Sequence, residues 1–527
     1  METLHFNREK SGLFTNISNQ LSYNQIGLSS YIQFPFSKEN FKKQMDLKGK
    51  SFNSNQREIL YNSLKEKYNL TSESEKVNSN LSLLRQENTF TITTGHQLSL
   101  FTGPIYFVYK ILHAIRLSEE LKIEYPESNF IPVFWMASED HDFEEIQSIQ
   151  LFGKTLKWET EQKGPVGRFN TESFEPIKKE FSEFFENHPE SEIQNLLKSY
   201  QGKSLGEATF KFVNQLFKDY GLIIIDGDDA QLKNQFKSTI ENEIKTQFSF
   251  NEVTKTSESL QEDGIKLQIT PREINLFYIE NNLRSRIQLI EGNYFIEEKG
   301  TYTQEEILNL LEKNPESFSP NVVLRPLYQE TILPNLCYLG GGGEMAYWLQ
   351  LKGVFDSANI PFPLIQVRNS FLQIDSGSLK KLEKINLTIE DIFNSTEELK
   401  KKYVLKNSAD ELNFENIDKS FSEFCTTLSK QIIKVDTNLK SYSEAEISRL
   451  EKQLISIKQK LIKTEKNKHE NSLNQIEQLK NKLFPNGGLQ ERSMNFFSTC
   501  ADGNVYSHLT EIYNSIDPFG NDLIIIK

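Results

Sequence analysis

Two apolar runs on either side of one amphipathic helix constrain this chain more than any other feature. Thr89–Thr94 reads TFTITT, and Phe130–Ser138 reads FIPVFWMAS. The first is short and β-branched. The second is apolar at almost every position, as a strand covered on both faces is. Between them, Ile105–Lys122 carries apolar residues at helical spacing, and Pro104 stands where a first-turn proline is tolerated. Strand, helix and strand in this order make a βαβ unit with parallel strands. The pattern returns more loosely. Gly221–Asp229 (GLIIIDGDD) reads as a buried strand ending in an acidic turn. Tyr338–Leu351 reads as a strand end, a glycine turn and a helix start, and Ile360–Phe371 as a further core strand. The expected class is α/β with a parallel sheet.

The chain has 527 residues, too many for one ordinary core, so two or three structural units are expected. A core over residues 1–375 is interrupted near 150–215 by a charged, irregular stretch. Near 250–300, short alternating pieces such as LQIT and NLFYIE suggest a small β-containing insertion. Beyond residue 375 the texture changes. Ile417, Phe421, Phe424, Leu428, Ile432, Val435 and Leu439 recur at spacings of three and four. A second series runs from Ile447 to Leu461 and a third from Leu473 to Leu483. This heptad-like seam predicts long helices over 376–485, ended by Pro485 and Gly487–Gly488. Residues 486–527 return to mixed texture, with DLIIIK expected to add an edge strand or dock on the core.

The formal net charge is -13, which disfavours a nucleic-acid or membrane-surface role but leaves room for a local basic pocket. Three widely spaced cysteines, Cys337, Cys425 and Cys500, argue against a disulfide framework or a Cys-rich zinc site. The N-terminal stretch lacks a secretory h-region, and no run reaches the length of a membrane span. The cytoplasm is the expected location.

Four clusters carry polar groups at the ends of expected strands. The first, Thr93–Pro104, places Gly95, His96 and Gln97 at a strand tip and Gly103 and Pro104 before a helix. Ligands bind at that edge of open α/β sheets. Its plainer reading is a tight turn with a capping histidine. The second, Ser138–Ile146, offers Glu139, Asp140, His141 and Asp142 for an amine, a sugar hydroxyl or a divalent metal. Its acids after Phe143 fit an ordinary acidic helix start. The third, Gly340–Trp348, is a four-glycine run. Gly342 and Gly343 would admit a ligand or make a flexible turn, and Glu344 and Tyr347 share a helix face, Glu344 to bind an amine or, equally, as a helix N-terminal acid beside core aromatics. No phosphate-binding signature follows it. The fourth, Val367–Ser370, provides Arg368 and Ser370 for a phosphate or carboxylate. Arg325 and Arg272 are comparable, with a surface ion pair as the default for each.

Taken together these stretches resemble the BshC family, the cysteine ligases of bacillithiol biosynthesis. The segments that carry the resemblance are TGHQLSLFTGPIYFVYK, PVFWMASEDHDFEEI, GLIIID, FSPNVVLRPLYQE, GGGGEMAYW, PFPLIQVRNS and LFPNGGLQERSMNF. They occur in the family's order across residues 93–497. The resemblance implies a Rossmann-like core related to class I nucleotidyltransferases. It also implies connective insertions, a helical coiled-coil arm and a homodimer built through that arm. Gly95-His96-Gln97 and Gly103-Pro104 stand where those enzymes carry an HxGH-type turn that grips ATP. The second histidine is absent, and Arg368-Asn369-Ser370 is the stand-in for a missing K-M-S-K-S loop. The implied reaction joins the cysteine carboxyl to the amine of glucosaminyl-malate. ATP, with Mg2+, would activate the acid as an adenylate. His96 would stabilise phosphate charge, and Asp140, His141 and Asp142 would orient or deprotonate the amine. No dedicated protein metal site is expected; one around His96, Asp140 and His141 is the weaker alternative. The competing readings are another acid-activating enzyme of this fold, or a non-catalytic coiled-coil scaffold of the same pathway.

Overall fold

The apolar runs become a five-stranded parallel sheet in the computed structural model, which describes residues 2–23, 26–69, 71, 74–188, 191–408 and 413–527. Its strands are β1 (Thr89–His96), β2 (Asn129–Met136), β3 (Ile223–Asp226), β6 (Asn335–Gly340) and β7 (Leu364–Val367). Between β3 and β6 come β4 (Leu276–Glu280) and β5 (Leu283–Ile290), which belong to another sheet. The parallel sheet has the order β3-β2-β1-β6-β7. Successive strands step outward from β1 on one side, then from β6 on the other. This is the doubly wound arrangement, and its ligand crevice lies at the carboxyl ends of β1 and β6, where the winding reverses.

Helix α1 (Tyr106–Glu124) crosses from β1 to β2 and packs on both. Almost every residue from Phe107 to Leu121 is buried, including His113 and Lys110. In β2, Ile131, Val133, Phe134, Trp135 and Met136 are at most 1% exposed. Burying each such side chain contributes about 1.5–3 kcal/mol, so an aspartate at Val133 would unseat the central strands. Three short helices bear on the site: α2 (Ala230–Gln235), α3 (Arg325–Ile332) and α4 (Gly342–Trp348).

The stretch expected as an irregular insertion near 150–215 is well packed. It forms a two-stranded ribbon (Ser148–Leu151 with Lys154–Lys157) and helices Glu175–Glu183, Glu192–Ser199 and Leu205–Phe217. Its charges sit outside, while widely spaced aromatics turn inward. Phe181 stacks on Phe101 at 4.1 Å, and Trp158, Phe174 and Tyr200 join the same core. The β-containing insertion is an antiparallel sheet in which β4 lies between β5 and Phe318–Pro320. Leu523–Ile526 is the middle strand of a small sheet, between Thr3–Phe6 and Ser370–Gln373.

The chain divides into two units, residues 1–372 with 491–526, and residues 373–490. In the second unit, α5 (Glu415–Val435) and α6 (Lys440–Lys468) are joined at Thr437–Leu439. Ser429 meets Ser443 at 3.2 Å, and Asp418 pairs with Lys458, so the two helices run antiparallel as one hairpin. The third apolar series lies on α7 (Glu470–Leu483), where Leu473, Ile476, Leu479 and Leu483 are buried. By contrast Ile417, Phe424, Val435, Leu439, Ile457 and Leu461 on the hairpin are exposed. Among the described residues no helix is long and apolar enough to cross a membrane.

Candidate active site

A cavity of about 580 Å3 opens at the switch point of the parallel sheet. The tips of β1 and β2 supply Gly95, His96 and Trp135, and the loops beyond them supply Gln97, Glu139, Asp140 and His141. From α1 come Tyr106 and Lys110, from β6 Tyr338, from α4 Glu344 and from α3 Arg325. The insertion closes one side with Arg272, Phe277, Arg284 and Arg286. Gly95 is required by close approach, because a Cβ there would lie 2.9 Å from the Tyr338 hydroxyl and 3.4 Å from Trp135.

His96 is a neutral imidazole held at both nitrogens. Its Nδ1 lies 2.9 Å from the Gln97 carbonyl, which can only accept, so Nδ1 carries the proton. Nε2 then accepts from the Tyr106 hydroxyl at 3.2 Å. Burial, aided by the charge of Lys110, pushes this imidazole down to about 4. Lys110 itself is committed. Its ammonium donates to the Gly95 carbonyl at 2.8 Å and to Glu344 at 2.7 Å. Glu344 also accepts from the Tyr338 hydroxyl at 2.5 Å. Although burial opposes ionisation, Lys110 holds Glu344 below the usual carboxylate range.

Asp140 accepts from Gln97 Nε2 at 2.7 Å and from the His141 backbone N–H at 2.7 Å. Burial works against its charge, but the His141 and Gln97 contacts and the Arg284 cation outweigh it, leaving Asp140 well below the usual range. The Arg284 guanidinium carbon lies over Phe277, 3.8 Å from the ring centroid, and Arg284 donates to His141 Nδ1 at 2.6 Å. His141 therefore keeps its proton on Nε2. Glu139 is buried and pairs with Lys233 of α2 at 2.7 Å; Lys233 also reaches Asp228 at 2.8 Å. Burial pushes Glu139 up, and Lys233 only partly offsets it.

Thus Gly95, His96, Gln97, Glu139, Asp140, His141 and Glu344 come together as cavity walls. The other expected site residues lie elsewhere. Asp142 precedes the short helix Phe143–Ile146 at its N-cap position, with no capping hydrogen bond from its side chain. Gly103 makes a turn with φ +62° against Ser99, and its carbonyl accepts from Asn495 at 2.6 Å. Pro104 bridges to Asn495. Gly342 lies against Ser18, and Gly343 faces open space. Tyr347 stands behind Arg325, its hydroxyl at 3.5 Å. Arg368 is buried in a two-pronged pair with Glu491, at 2.7 and 3.0 Å, beneath the Tyr106 ring, and Ser370 is buried beside it.

Tyr106, Lys110, Tyr338, Arg284 and Arg286 were not expected at the site. Tyr106 and Lys110 read as ordinary helix positions, although a lysine inside an apolar helical face is a signal of a buried partner. The two arginines alternate along β5 as R-S-R, which marks one strand face but not what it faces.

Comparison with known proteins agrees with this architecture. The family model "Bacillithiol biosynthesis BshC, N-terminal Rossmann-like domain" matches residues 1–369, and "Bacillithiol biosynthesis BshC, C-terminal coiled-coil domain" matches residues 371–527. Proteins named "Putative cysteine ligase BshC" are similar over most of their length. That of Flavobacterium psychrophilum is 44% identical, covering 93% of this chain and 92% of the relative. That of Flavobacterium johnsoniae is 42% identical with 93% of each chain covered, and that of Chlorobaculum tepidum is 30% identical over 84% and 83%. With a doubly wound core, a helical second unit and both family models matched end to end, the chain belongs to the bacillithiol biosynthesis BshC family.

Proposed function

We propose that this chain is a ligase that joins the carboxyl of cysteine to the amine of glucosaminyl-malate, giving bacillithiol, with ATP as the activating co-substrate. Family membership supports the pathway and the cysteine. The observation that carries the chemistry is the switch-point cavity, which places an ionised Asp140, a buried Glu139, a neutral His96, the His141 ring and four arginines around one volume. A carboxylate and an amine do not condense unaided. Activation by ATP converts the carboxyl oxygen into part of a phosphate leaving group, and preorganised hydrogen-bond donors in a water-poor cavity stabilise the charge that then develops. Mg2+ would enter with the phosphates of ATP. Among the described residues no three His, Cys, Asp or Glu side chains are grouped to hold a metal.

The two acids divide the work at the amine. Asp140 stays ionised and orients the amine by accepting its N–H. Glu139 is the better proton acceptor, because a carboxyl raised toward neutrality takes a proton more readily than one held well below its range. His141, with Nδ1 occupied by Arg284, acts as a donor from Nε2. The proposal also places the protein in the cytoplasm, beside ATP and cysteine. It includes a homodimer through the exposed apolar positions of α5 and α6. The test is a reaction of purified protein with cysteine, glucosaminyl-malate, ATP and Mg2+, read by mass spectrometry. Bacillithiol with AMP supports an adenylate and with ADP an acyl-phosphate. A folded protein that yields no bacillithiol overturns the reading.

A further inference from the structure

The cavity carries more positive charge than its own carboxylates use. Glu344 is matched by Lys110, and Glu139 by Lys233. Asp140 faces Arg284, yet Arg284 gives its Nη1 to His141, and its Nε is buried with no hydrogen-bond partner. Among the described residues, the Arg325 side chain hydrogen-bonds only to neutral groups, Gln329 at 3.1 Å and Tyr347 at 3.5 Å. Arg272 and Arg286 line the cavity with their side chains exposed. Arginines with carboxylate partners, such as Arg168 with Asp228 and Arg368 with Glu491, do not line it. Arg284 and Arg286 project from one face of β5, two residues apart, on a hairpin fixed by pairing Phe277 with Arg286. In a chain of net charge -13, four guanidinium groups lining one cavity are a built feature rather than an average of the surface.

We propose that Arg272, Arg284 and Arg286 of the insertion, with Arg325 of α3, form an anion subsite in the cavity, for a ligand end bearing two adjacent anionic groups. The planar guanidinium fork matches carboxylate and phosphate oxygens alike. Of the two sources, the subsite takes the malyl dicarboxylate of the amino-sugar substrate, an assignment that rests on the ligase reading. That end is then held by the arginines while the amine reaches Asp140 and Glu139 in the same cavity. The insertion thus sets which amine-bearing molecule is accepted, since a sugar amine without the dicarboxylate would leave the guanidinium groups unpaired.

The experiment is titration calorimetry on the full-length chain and on its Arg272→Gln/Arg286→Gln double variant, whose altered side chains are exposed and leave the core intact. The probes are glucosaminyl-malate, methyl glucosaminide, ATP with Mg2+, L-malate and pyrophosphate. Glucosaminyl-malate and L-malate are expected to bind the variant about tenfold to a hundredfold more weakly, as loss of charge-assisted pairs requires, with ATP within about twofold. A loss confined to ATP and pyrophosphate keeps the anion subsite and overturns the malyl assignment. Unchanged affinities for all anions overturn the subsite. Failure of the ligase reading is separable. A protein that makes no bacillithiol but binds L-malate or pyrophosphate through these arginines keeps the subsite. One that makes bacillithiol equally well as the double variant loses it.

Discussion

Two buried groups outside the cavity show how single residues set the stability of this fold. His113 is fully buried, with Nε2 donating to the Pro518 carbonyl at 3.1 Å and Nδ1 accepting from the Asn369 N–H at 3.0 Å. Protonation would set a second ring N–H against that backbone donor, and burial pushes the imidazole down to about 4 from 6.5. The unfolded chain then binds more protons than the native one between those values. The contribution is complete above about pH 6.5 and is lost as pH falls toward 4, on the order of 3 kcal/mol. We expect thermal melts of the wild type to fall between pH 7 and pH 5 more steeply than those of His113→Gln. Arg368 and Glu491 are a stronger case, both buried and bonded twice, with the buried Arg8 guanidinium near the same carboxylate. Glu491→Gln leaves Arg368 charged and unmatched. We expect it to lose about 3–5 kcal/mol in urea unfolding, and the double change with Arg368→Met to lose less. This pair was not legible in the sequence. VRNS and LQER each read as separate motifs, and only folding brings residues 368 and 491 together.

At the scale of elements, the legible parts were those whose pattern is local. β1, β2, β3, β6 and β7 were visible because strands covered on both faces are apolar without alternation, and α1 because its spacing is helical. His96 and Asp140 were placed at the site by the rule that ligands meet parallel sheets at carboxyl edges. The arginines of β5 escaped because their place on the cavity depends on a hairpin laid over an edge more than 130 residues away in the chain. Residues 150–215 were misread as irregular because their aromatics are too widely spaced to show a period, though they fill one core. The helical seam was legible as a seam but not in its pairing. α5 and α6 pair with each other, which buries Cys425 but leaves Phe424 and Ile457 about half exposed. We expect Phe424→Glu with Ile457→Glu to convert a dimer to a monomer in analytical ultracentrifugation without lowering the melting temperature. A wild-type chain that sediments as a monomer at micromolar concentration would remove the homodimer from the proposal.

At the scale of the whole molecule, the doubly wound sheet supplies the edge, the tips of β1 and β2 with the loops after them supply His96, Glu139, Asp140 and His141, and the insertion supplies Arg272, Arg284 and Arg286. Each is placed by a different part of the chain, so a cavity of mixed charge forms without any single extended motif. The central claim is that this cavity performs the ligation. It is tested most directly by the rate of bacillithiol formation by purified Asp140→Asn protein, with melting temperature measured alongside. The variant keeps the shape of the side chain and removes the charge that orients the amine. We expect turnover about a hundredfold or more below the wild type with the melting temperature within a few degrees. Turnover within about twofold of the wild type would contradict the assignment of the site.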